Sequence, residues 1–289
     1  MLGTANTVGA LPNIQDLCDP SSKKHLLAGV FPKKSDLQKA LFDLEQVFLR
    51  YGVTVLRPDS VVDCNQIFAR DLGFVVDDVF IRANIIPHRE KELLGLASLL
   101  SQIPTSNQLM FPKEVHVEGG DVIVHNEYIY VGFSSSANYA KLLTARTNET
   151  AVFALRKAFP NKKVKPFELI KSNTVPHKNA LHLDCCFQPI GESLAITCPE
   201  GFTNFEDYNW LVAHFGPNNI FEVSTVEMSQ MMCNVVSISP TVVVSNTSFT
   251  RLNTWLRQHD ITVEEVFFNE IGKQGGLFRC VTLPLFRKS

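Results

Sequence analysis

A repeated order of short apolar runs and longer amphipathic segments limits the possible folds of this chain more than any other feature. Two apolar runs, an amphipathic segment and a further apolar run follow one another about every 50–60 residues. Each repeat predicts two strands, a helix and another strand, and units of this size bury their faces by stacking in a ring or a solenoid. No stretch rich in Pro, Gly or Ser divides the sequence. We therefore expect a single α/β domain over residues 1–289, with 1–20 as a candidate poorly ordered segment.

The predicted elements combine apolar spacing with residues that end helices and strands. Apolar residues at helical spacing predict a helix over 36–51, and Gly52 ends it where a left-handed residue is favoured. Pairs of apolar bursts, the first on either side of Asp77–Asp78, predict hairpins over 73–81 and 122–131. The other predicted helices cover 90–100, 137–159, 205–214, 226–231 and 248–258. The other predicted strands cover 53–56, 115–117, 181–183, 194–197, 220–223, 235–238, 241–245, 261–266 and 278–283.

Composition and charge exclude several classes of protein. Of the 289 residues, 45% are hydrophobic and 19% are charged, which excludes a disordered chain. Lys+Arg 27 against Asp+Glu 29 gives a net charge of −2, without the basic excess of a nucleic-acid-binding domain. The apolar stretches are far shorter than the roughly 20 residues of a membrane-spanning helix, and the N-terminus lacks the pattern of a secretory signal. We therefore expect a cytoplasmic protein with no nucleic-acid or membrane partner.

The seven cysteines show no spacing typical of a disulfide framework. An odd number of cysteines without a secretory signal indicates reduced thiols. There is no Cys-x-x-Cys pair, and no His lies at zinc-ligand spacing from a cysteine pair, so a structural zinc is not expected. Most of these cysteines are expected to be small buried hydrophobic side chains, and one is a candidate for chemistry.

Four short stretches place polar side chains within otherwise apolar segments. They are Phe68–Asp71, Glu118–Asp121, Leu181–Asp184 and Gly275–Cys280. On a strand, His182 and Asp184 would leave the same face, and a Gly-Gly pair lets the backbone approach a ligand closely. Singly, each stretch has an ordinary structural interpretation, such as a turn, a hydrogen-bonded histidine, an inert cysteine or a surface ion pair. No single stretch therefore identifies a function.

Together and in this order, the four stretches resemble the guanidino-group-modifying (pentein) superfamily, which includes arginine deiminases, dimethylarginine dimethylaminohydrolases and amidinotransferases. Asp71 is similar to the family's guanidinium-binding aspartate, and Glu118–Asp121 matches its E-G-G-D segment. His182–Asp184 matches its H-x-D, and Gly275–Gly276 ahead of Cys280 matches its C-terminal nucleophile motif. The resemblance spans about residue 50 to the C-terminus. It implies an α/β-propeller, a ring of about five ββαβ modules with pseudo-fivefold symmetry around a central pocket.

The resemblance further implies hydrolysis of a C–N bond in a small-molecule, arginine-type guanidine, without a cofactor or a metal. Cys280 is expected to attack the guanidinium carbon, and His182 is expected to act as acid and then as base through a covalent thiouronium. The products are citrulline and either ammonia or an amine. Glu118 is expected to orient His182 or to accept from the guanidinium. Asp71 and Asp184 are expected to bind the guanidinium, because carboxylates pair bidentately with its N–H fork.

The α-amino-acid end of such a substrate needs cationic partners for its carboxylate. Arg146 stands in an Arg-Thr-Asn segment that resembles one in the dimethylarginine hydrolases. A second arginine is expected between residues 81 and 89, where Arg82 is preferred over Arg89, although a one-residue shift in register would exchange them. Gly276 is expected beside the substrate, and the cysteines other than the nucleophile are expected to be structural.

These motifs do not determine which nitrogen group departs, nor whether water or an amine accepts the rest of the substrate. The aspartate of H-x-D and the Gly-Gly pair are similar to the arginine deiminases, whereas the length and the Arg146 segment are similar to the dimethylarginine hydrolases. Transfer of the amidino group to an amine, as in the amidinotransferases, is the alternative to hydrolysis. A non-catalytic binding protein on the same fold is a further alternative, although a scaffold needs none of these polar residues at this spacing. Assembly as a homodimer is also left open.

Overall fold

The recurring unit of the fold is a hairpin, a helical connection and a parallel strand. The structure is a computed structural model and describes residues 1–287. Within these residues there are four three-stranded sheets, in which the first two strands pair antiparallel and the third joins the second in parallel. The strands, three to a sheet, are β1 Gly73–Val76, β2 Val79–Arg82 and β3 Gln108–Met110; β4 Val122–His125, β5 Tyr128–Phe133 and β6 Lys163–Glu168; β7 Phe187–Ile190, β8 Leu194–Thr197 and β9 Ile220–Glu222; β10 Val236–Ser239, β11 Val242–Asn246 and β12 Thr262–Val266.

The helical segments precede the sheets or connect their second and third strands, except that α9 follows the last sheet. The α-helices are α1 Pro20–Leu27, α2 Lys34–Arg50, α3 Ala97–Leu100, α4 Ser136–Tyr139, α5 Glu149–Ala158, α6 Phe205–Phe215, α7 Thr225–Ser229, α8 Thr250–Gln258 and α9 Asn269–Gly272. The 3₁₀ helices are Ile14–Asp16, Ala69–Leu72, Pro87–Leu96, Thr105–Asn107, Gly119–Asp121, Pro176–Lys178, Leu183–Cys185, Pro199–Gly201 and Pro217–Asn219. Over the part of the chain that the structure describes, no helix has the length and apolar character needed to cross a membrane.

The predicted order of hairpin, helix and strand is confirmed in these four sheets. The first two hairpins turn at Asp77 and Asn126, whose φ angles of 53° and 52° are left-handed. Asp and Asn tolerate this conformation better than most residues, which is why these positions read as turns. The helix that we predicted over 36–51 is α2, and Gly52 follows it with φ 68°.

Several predicted elements differ from the observed ones. The helix predicted over 90–100 is mostly the 3₁₀ segment Pro87–Leu96, with one α-turn in α3. The helix predicted over 137–159 is divided into α4 and α5 by a loop. The segments 53–56, 115–117, 181–183 and 278–283 are not strands. Their apolar residues pack without a neighbouring strand that would form a ladder with them. Apolar content alone does not distinguish a paired strand from an apolar loop.

Two of the four parallel outer strands, β9 and β12, were predicted, whereas β3 and β6 were not. Strand β6 has the sequence Lys-Val-Lys-Pro-Phe-Glu and is only half buried, so it lacks the apolar run of a central strand. Strand β3 has three residues, and none of them is fully buried. An outer strand needs one apolar face and tolerates Pro and Lys, which makes its sequence resemble a loop.

The predicted ring of five modules is matched only in part. A fifth three-stranded sheet is not found between residues 1 and 287. Instead, isolated bridges pair Leu2 with Thr282 and Thr4 with Gln66. The N-terminal segment, which we expected to be poorly ordered, thus has a buried Leu2 and joins the C-terminal segment. The mixed α/β fold with small sheets is confirmed, and the closed pseudo-fivefold ring stays a prediction.

Helix α2 contributes its apolar face to the largest hydrophobic core. Leu37, Leu41 and Leu44 are buried on that face, while Leu49 is about half exposed on the other. This division follows the helical spacing of apolar residues that the sequence shows.

We predict that Leu44→Ala lowers the free energy of unfolding by about 2–5 kcal/mol, because it removes a buried side chain and leaves a cavity. Leu49→Ala is the matched control on the exposed face of the same helix, with an expected change within about 0.5 kcal/mol. Urea unfolding followed by circular dichroism measures both. Equal losses for the two variants would contradict the assignment of the buried face.

Candidate active site

Three short 3₁₀ helices contain Asp71 and Asp184 or directly follow Glu118 and His182, and each lies just before the first strand of a sheet. Ala69–Leu72 precedes β1, Gly119–Asp121 precedes β4 and Leu183–Cys185 follows His182 and precedes β7. The segment Gly119–Asp121 contacts both of the others. Equivalent positions in three sheets thus bring residues that are distant in sequence into one place.

Glu118, His182 and Asp71 form a buried acid and base cluster. The Nε2 atom of His182 lies 2.9 Å from Oε2 of Glu118, and its Nδ1 atom lies 3.7 Å from Oδ1 of Asp71. Glu118 is fully buried, and the other two are at most 4% exposed. Both Nδ1 of His182 and Oδ1 of Asp71 are buried without a hydrogen-bond partner among residues 1–287. The cluster therefore offers one free donor position and one free acceptor position side by side.

Gly120 makes room for the imidazole of His182. A Cβ atom at Gly120 would lie 2.7 Å from both Cγ and Nδ1 of His182, which is closer than real contacts allow. A Cβ atom at Gly119 would overlap the carbonyl oxygens of Arg70 and Gly73. The two glycines of the E-G-G-D segment are thus required by close packing, and this packing places Glu118 against His182.

The charges in the cluster raise the pKa of His182 to about 9. Burial alone would lower the pKa, but the carboxylates of Asp71, Asp121 and Glu118 outweigh it by favouring the imidazolium. Burial likewise opposes ionisation of Glu118, yet Arg146 and His182 hold the pKa of this carboxyl well below its usual range. A protonated imidazole can donate from both of its nitrogen atoms, so the cluster is suited to proton transfer at neutral pH.

Two arginines complete the charge balance of the cluster. The NH1 atom of Arg146 lies 3.2 Å from Oε2 of Glu118. The NH1 atom of Arg89 lies 2.6 Å from Oδ2 of Asp71, and the side chain of Arg89 also pairs with Glu92. All of these side chains are largely buried, where charges need partners. The cluster is therefore an ion-pair network with no large net charge.

Arg82, the preferred partner of the substrate carboxylate, lies outside this cluster, whereas Arg89 lies within it, and the choice between the two stays a prediction. Arg82 lies at the end of β2, and its side chain lines a separate groove with Phe80, Leu100 and Met110. Arg89 comes from the 3₁₀ helix that follows and reaches Asp71. The side chain of Arg82 follows the alternation of a strand, which directs it to the same face as Phe80.

Cys280 lies in a second buried cluster together with Asp184 and Cys185. Their ligand-type atoms all lie within 4.8 Å of one another, and Cys280 is 3% exposed. The Sγ atom of Cys280 lies 3.9 Å from Oδ1 of Asp184 and 3.2 Å from Nδ2 of Asn234. The backbone N–H of Arg70, next to Asp71, donates to the carbonyl of Cys280. The segment that carries Asp71 thus contacts the segment that carries Cys280, and this contact joins the two clusters.

We expected the carboxylate of Asp184 to be available to the substrate, but one of its two oxygen atoms is paired with an arginine of the chain. NH1 of Arg279 lies 2.9 Å from Oδ2 of Asp184, and NH2 of Arg279 donates to the carbonyl of Val122. His182 is extended and Asp184 belongs to a 3₁₀ helix, so the same-face argument for a strand is wrong. One oxygen of Asp184 remains directed toward Cys280 and Cys185.

The Gly-Gly pair allows close packing beside Cys280. A Cβ atom at Gly276 would lie 2.6 Å from Cε1 of Phe68 and 2.9 Å from Cβ of Cys280. Gly275 has φ 83° and lies against the carboxylate of Asp19. Gly276 therefore packs against Cys280, and Gly275 provides the left-handed turn that leads to it.

Sequence reasoning missed Arg279 and Asn234 as members of this site. Arg279 had a readable signal, since an arginine beside a cysteine in an apolar segment needs a buried anionic partner. Asn234 stands before β10, where the other sheets carry Asp71, Asp121 and Asp184 before their first strands. The repeat itself was therefore the signal that could have identified it.

We predict that Glu118→Gln lowers the pKa of His182 by about one to three units, because the adjacent negative charge is removed. An NMR titration of the labelled histidine measures it, and Asp207→Asn, which removes a carboxylate paired with Lys165, is the control. The raised pKa stabilises the fold fully below about pH 6.5, and this contribution is lost as the pH rises through about 9. The stability gap between wild type and Glu118→Gln should therefore narrow above pH 9. A pKa that is unchanged by Glu118→Gln would contradict the pairing.

Comparisons with known proteins agree with this arrangement. The family model described as N,N dimethylarginine dimethylhydrolase, eukaryotic, matches residues 49–287. The uncharacterized protein YkgA of Bacillus subtilis (strain 168) is 30% identical over 223 residues, which cover 77% of this chain and 70% of YkgA. The match to the family model spans all four motifs.

Two solved structures share the fold at low sequence identity. The N-terminal domain of ArgZ, an arginine dihydrolase from cyanobacteria, was solved bound to substrate and is similar at a TM-score of 0.79 and 16% identity, covering 98% of this chain and 97% of that one. DDAH from Pseudomonas aeruginosa, in complex with citrulline, is similar at a TM-score of 0.68 and 16% identity, covering 87% and 89%. Taken with the family model, they lead to one conclusion: the chain belongs to the N,N-dimethylarginine dimethylhydrolase family of the guanidino-group-modifying (pentein) superfamily.

Proposed function

We propose that this protein hydrolyses a C–N bond in the guanidinium group of a free arginine-type molecule, arginine or an N-methylated arginine. The observation that carries the proposal is the pair of buried, unpartnered atoms, Nδ1 of His182 and Oδ1 of Asp71. A protonated imidazole and a carboxylate in this arrangement suit a cationic substrate that must lose an amine. The similar structures, an arginine dihydrolase solved with its substrate and DDAH solved with citrulline, support the same substrate class.

Recognition of the guanidinium rests on Asp71 and Asp184. Each carboxylate is already paired with an arginine of the chain, Asp71 with Arg89 and Asp184 with Arg279. The geometry that suits these internal guanidinium groups also suits a substrate guanidinium. In the proposal, the substrate guanidinium replaces Arg89 at Asp71 and binds the remaining oxygen of Asp184, and its carbon lies over the sulfur of Cys280.

The proposed reaction has two covalent stages. The thiolate of Cys280 attacks the guanidinium carbon and forms a C–S bond, and the imidazolium of His182 donates its proton to the departing nitrogen as that C–N bond breaks. Ammonia or an amine leaves, and a thiouronium remains on Cys280. Neutral His182 then accepts a proton from water, a C–O bond forms, the C–S bond breaks, and the ureido product leaves. Glu118 stabilises the imidazolium throughout.

The carboxylate of the substrate is assigned to Arg146 and Arg89. Arg146 is part of the ion-pair network around Glu118, and Arg89 lies at Asp71. The assignment of Arg89 replaces the earlier preference for Arg82. Binding in this position requires Arg89 to turn from Asp71 toward the substrate carboxylate, so the substrate guanidinium and Arg89 exchange places at Asp71.

The leaving group and the acceptor define the alternatives to this proposal. Ammonia departs from arginine, and methylamine or dimethylamine departs from a methylated arginine. An amidinotransferase would instead pass the amidino group from the same cysteine to an amine, and turnover would then depend on that amine. Product analysis separates these reactions, since only hydrolysis forms citrulline without an amine acceptor.

We predict that Cys280→Ser abolishes citrulline formation while the protein stays folded, because a hydroxyl is a weak nucleophile toward a guanidinium carbon. Incubation with arginine and with methylated arginines, followed by mass spectrometry of the products, measures turnover. Cys64→Ser is the matched control, since Cys64 is also buried and lies outside both clusters. Citrulline production by Cys280→Ser at the wild-type rate would refute the nucleophile, and strict dependence on an added amine would indicate transfer.

A further inference from the structure

Asn234 occupies the place in the fourth sheet that the other sheets use for site residues. It lies two residues before β10, as Asp71 lies two residues before β1. Asn234 is fully buried, and its side chain points to the segment that carries Cys280. A buried amide needs both donors and acceptors satisfied, so the contacts of this side chain are informative.

The amide oxygen of Asn234 holds the backbone around Cys280. Its Oδ1 atom accepts hydrogen bonds from the backbone N–H groups of Leu277, Arg279 and Cys280, at 3.1, 3.0 and 3.1 Å. Three N–H groups converge on one oxygen only when a short segment folds around it. Asn234 thus takes the place of a regular hydrogen-bond ladder for a segment that belongs to no sheet.

The amide nitrogen of Asn234 faces the sulfur atom. Its Nδ2 atom lies 3.2 Å from Sγ of Cys280 and 3.2 Å from the carbonyl oxygen of Asp184. A hydrogen bond from an amide N–H favours the charged form of a thiol. The same side chain therefore fixes the position of the sulfur atom and donates to it.

We propose that Asn234 positions Cys280 and stabilises its thiolate, and that the neutral amide is required because one side chain must accept from the backbone and donate to sulfur. This inference rests on the proposed function in taking Cys280 as the nucleophile. An aspartate at this position keeps the acceptor but directs a second oxygen toward the sulfur. A negative charge there opposes the thiolate.

The other groups around Cys280 make this donor necessary. Oδ1 of Asp184, at 3.9 Å, opposes a thiolate, although Arg279 partly compensates through its pairing with the other oxygen. The hydrogen bond to Cys280, together with burial, raises the pKa of the Cys185 thiol well above its ordinary value, so Cys185 stays neutral. Arg70 is the further nearby cation, and its Nε donates to the carbonyl of Arg279. The amide of Asn234, unlike the thiols and carboxylates around it, does not titrate. Asn234 is therefore a donor whose strength does not vary with pH.

The test is the pH dependence of alkylation of Cys280 by iodoacetamide, with the modified peptide quantified by mass spectrometry. For Asn234→Asp we expect the midpoint of the alkylation profile to rise by about one unit or more, with about a tenfold slower reaction at pH 7. Asn253→Asp is the matched control, because Asn253 is another buried asparagine that donates to a backbone carbonyl and lies outside the site. That control is expected to keep the wild-type midpoint.

Asn234→Ala is the second variant and removes both the donor and the acceptor. It should also raise the midpoint, and in the turnover assay it should lower kcat more than it raises KM, because in the proposal Asn234 acts on Cys280 and not on the substrate. Thermal unfolding establishes which variants are folded, and Asn234→Asp decides the outcome if Asn234→Ala is not. A wild-type midpoint in Asn234→Asp, or an equal shift in Asn253→Asp, overturns the proposal. Alkylation requires no turnover, so this result is independent of whether the protein proves to be a hydrolase.

Discussion

The buried pair of Glu118 and His182 is the interaction on which the rest of the site depends. A fully buried carboxylate would ordinarily be protonated, and a buried imidazole would ordinarily be neutral. At 2.9 Å each stabilises the charged form of the other, while Arg146 and Asp71 complete the network. Gly120, two residues after Glu118, is required because its backbone lies against the imidazole. The E-G-G-D segment and the histidine therefore form one unit, in which the imidazole of His182 is protonated at neutral pH.

The repeated fold explains how this pair meets the thiol. Each sheet begins just after a short turn or 3₁₀ helix, and these turns carry Asp71, Asp121, Asp184 and Asn234. His182 and Asp184 are two residues apart, yet one belongs to the acid and base cluster and the other to the cluster around Cys280. Both clusters consist of ion pairs that include internal guanidinium groups. A substrate guanidinium can replace these groups without changing the kind of interaction, which is the physical basis of the proposed function.

Much of this arrangement could be predicted from the sequence, because turn residues and helical spacing act locally. The hairpin at Asp77, helix α2 and the four motifs are of this kind. The position of Arg82 and the pairing of Arg279 with Asp184 could not be predicted in this way, since they depend on where separate segments meet. The outer strand β6 was missed because Lys and Pro are tolerated at an exposed edge. Long-range ion pairs and edge strands thus account for these differences.

The covalent intermediate on Cys280 is the central claim, and mass spectrometry of acid-quenched protein tests it most directly. Hydrolysis predicts that the Cys280 peptide gains the mass of arginine less ammonia. Methylated arginines should give the same adduct, since the substituted nitrogen is the one that departs. An adduct of the amidino group alone would indicate transfer. Citrulline formation with an unmodified Cys280 peptide at every quench time would contradict the account.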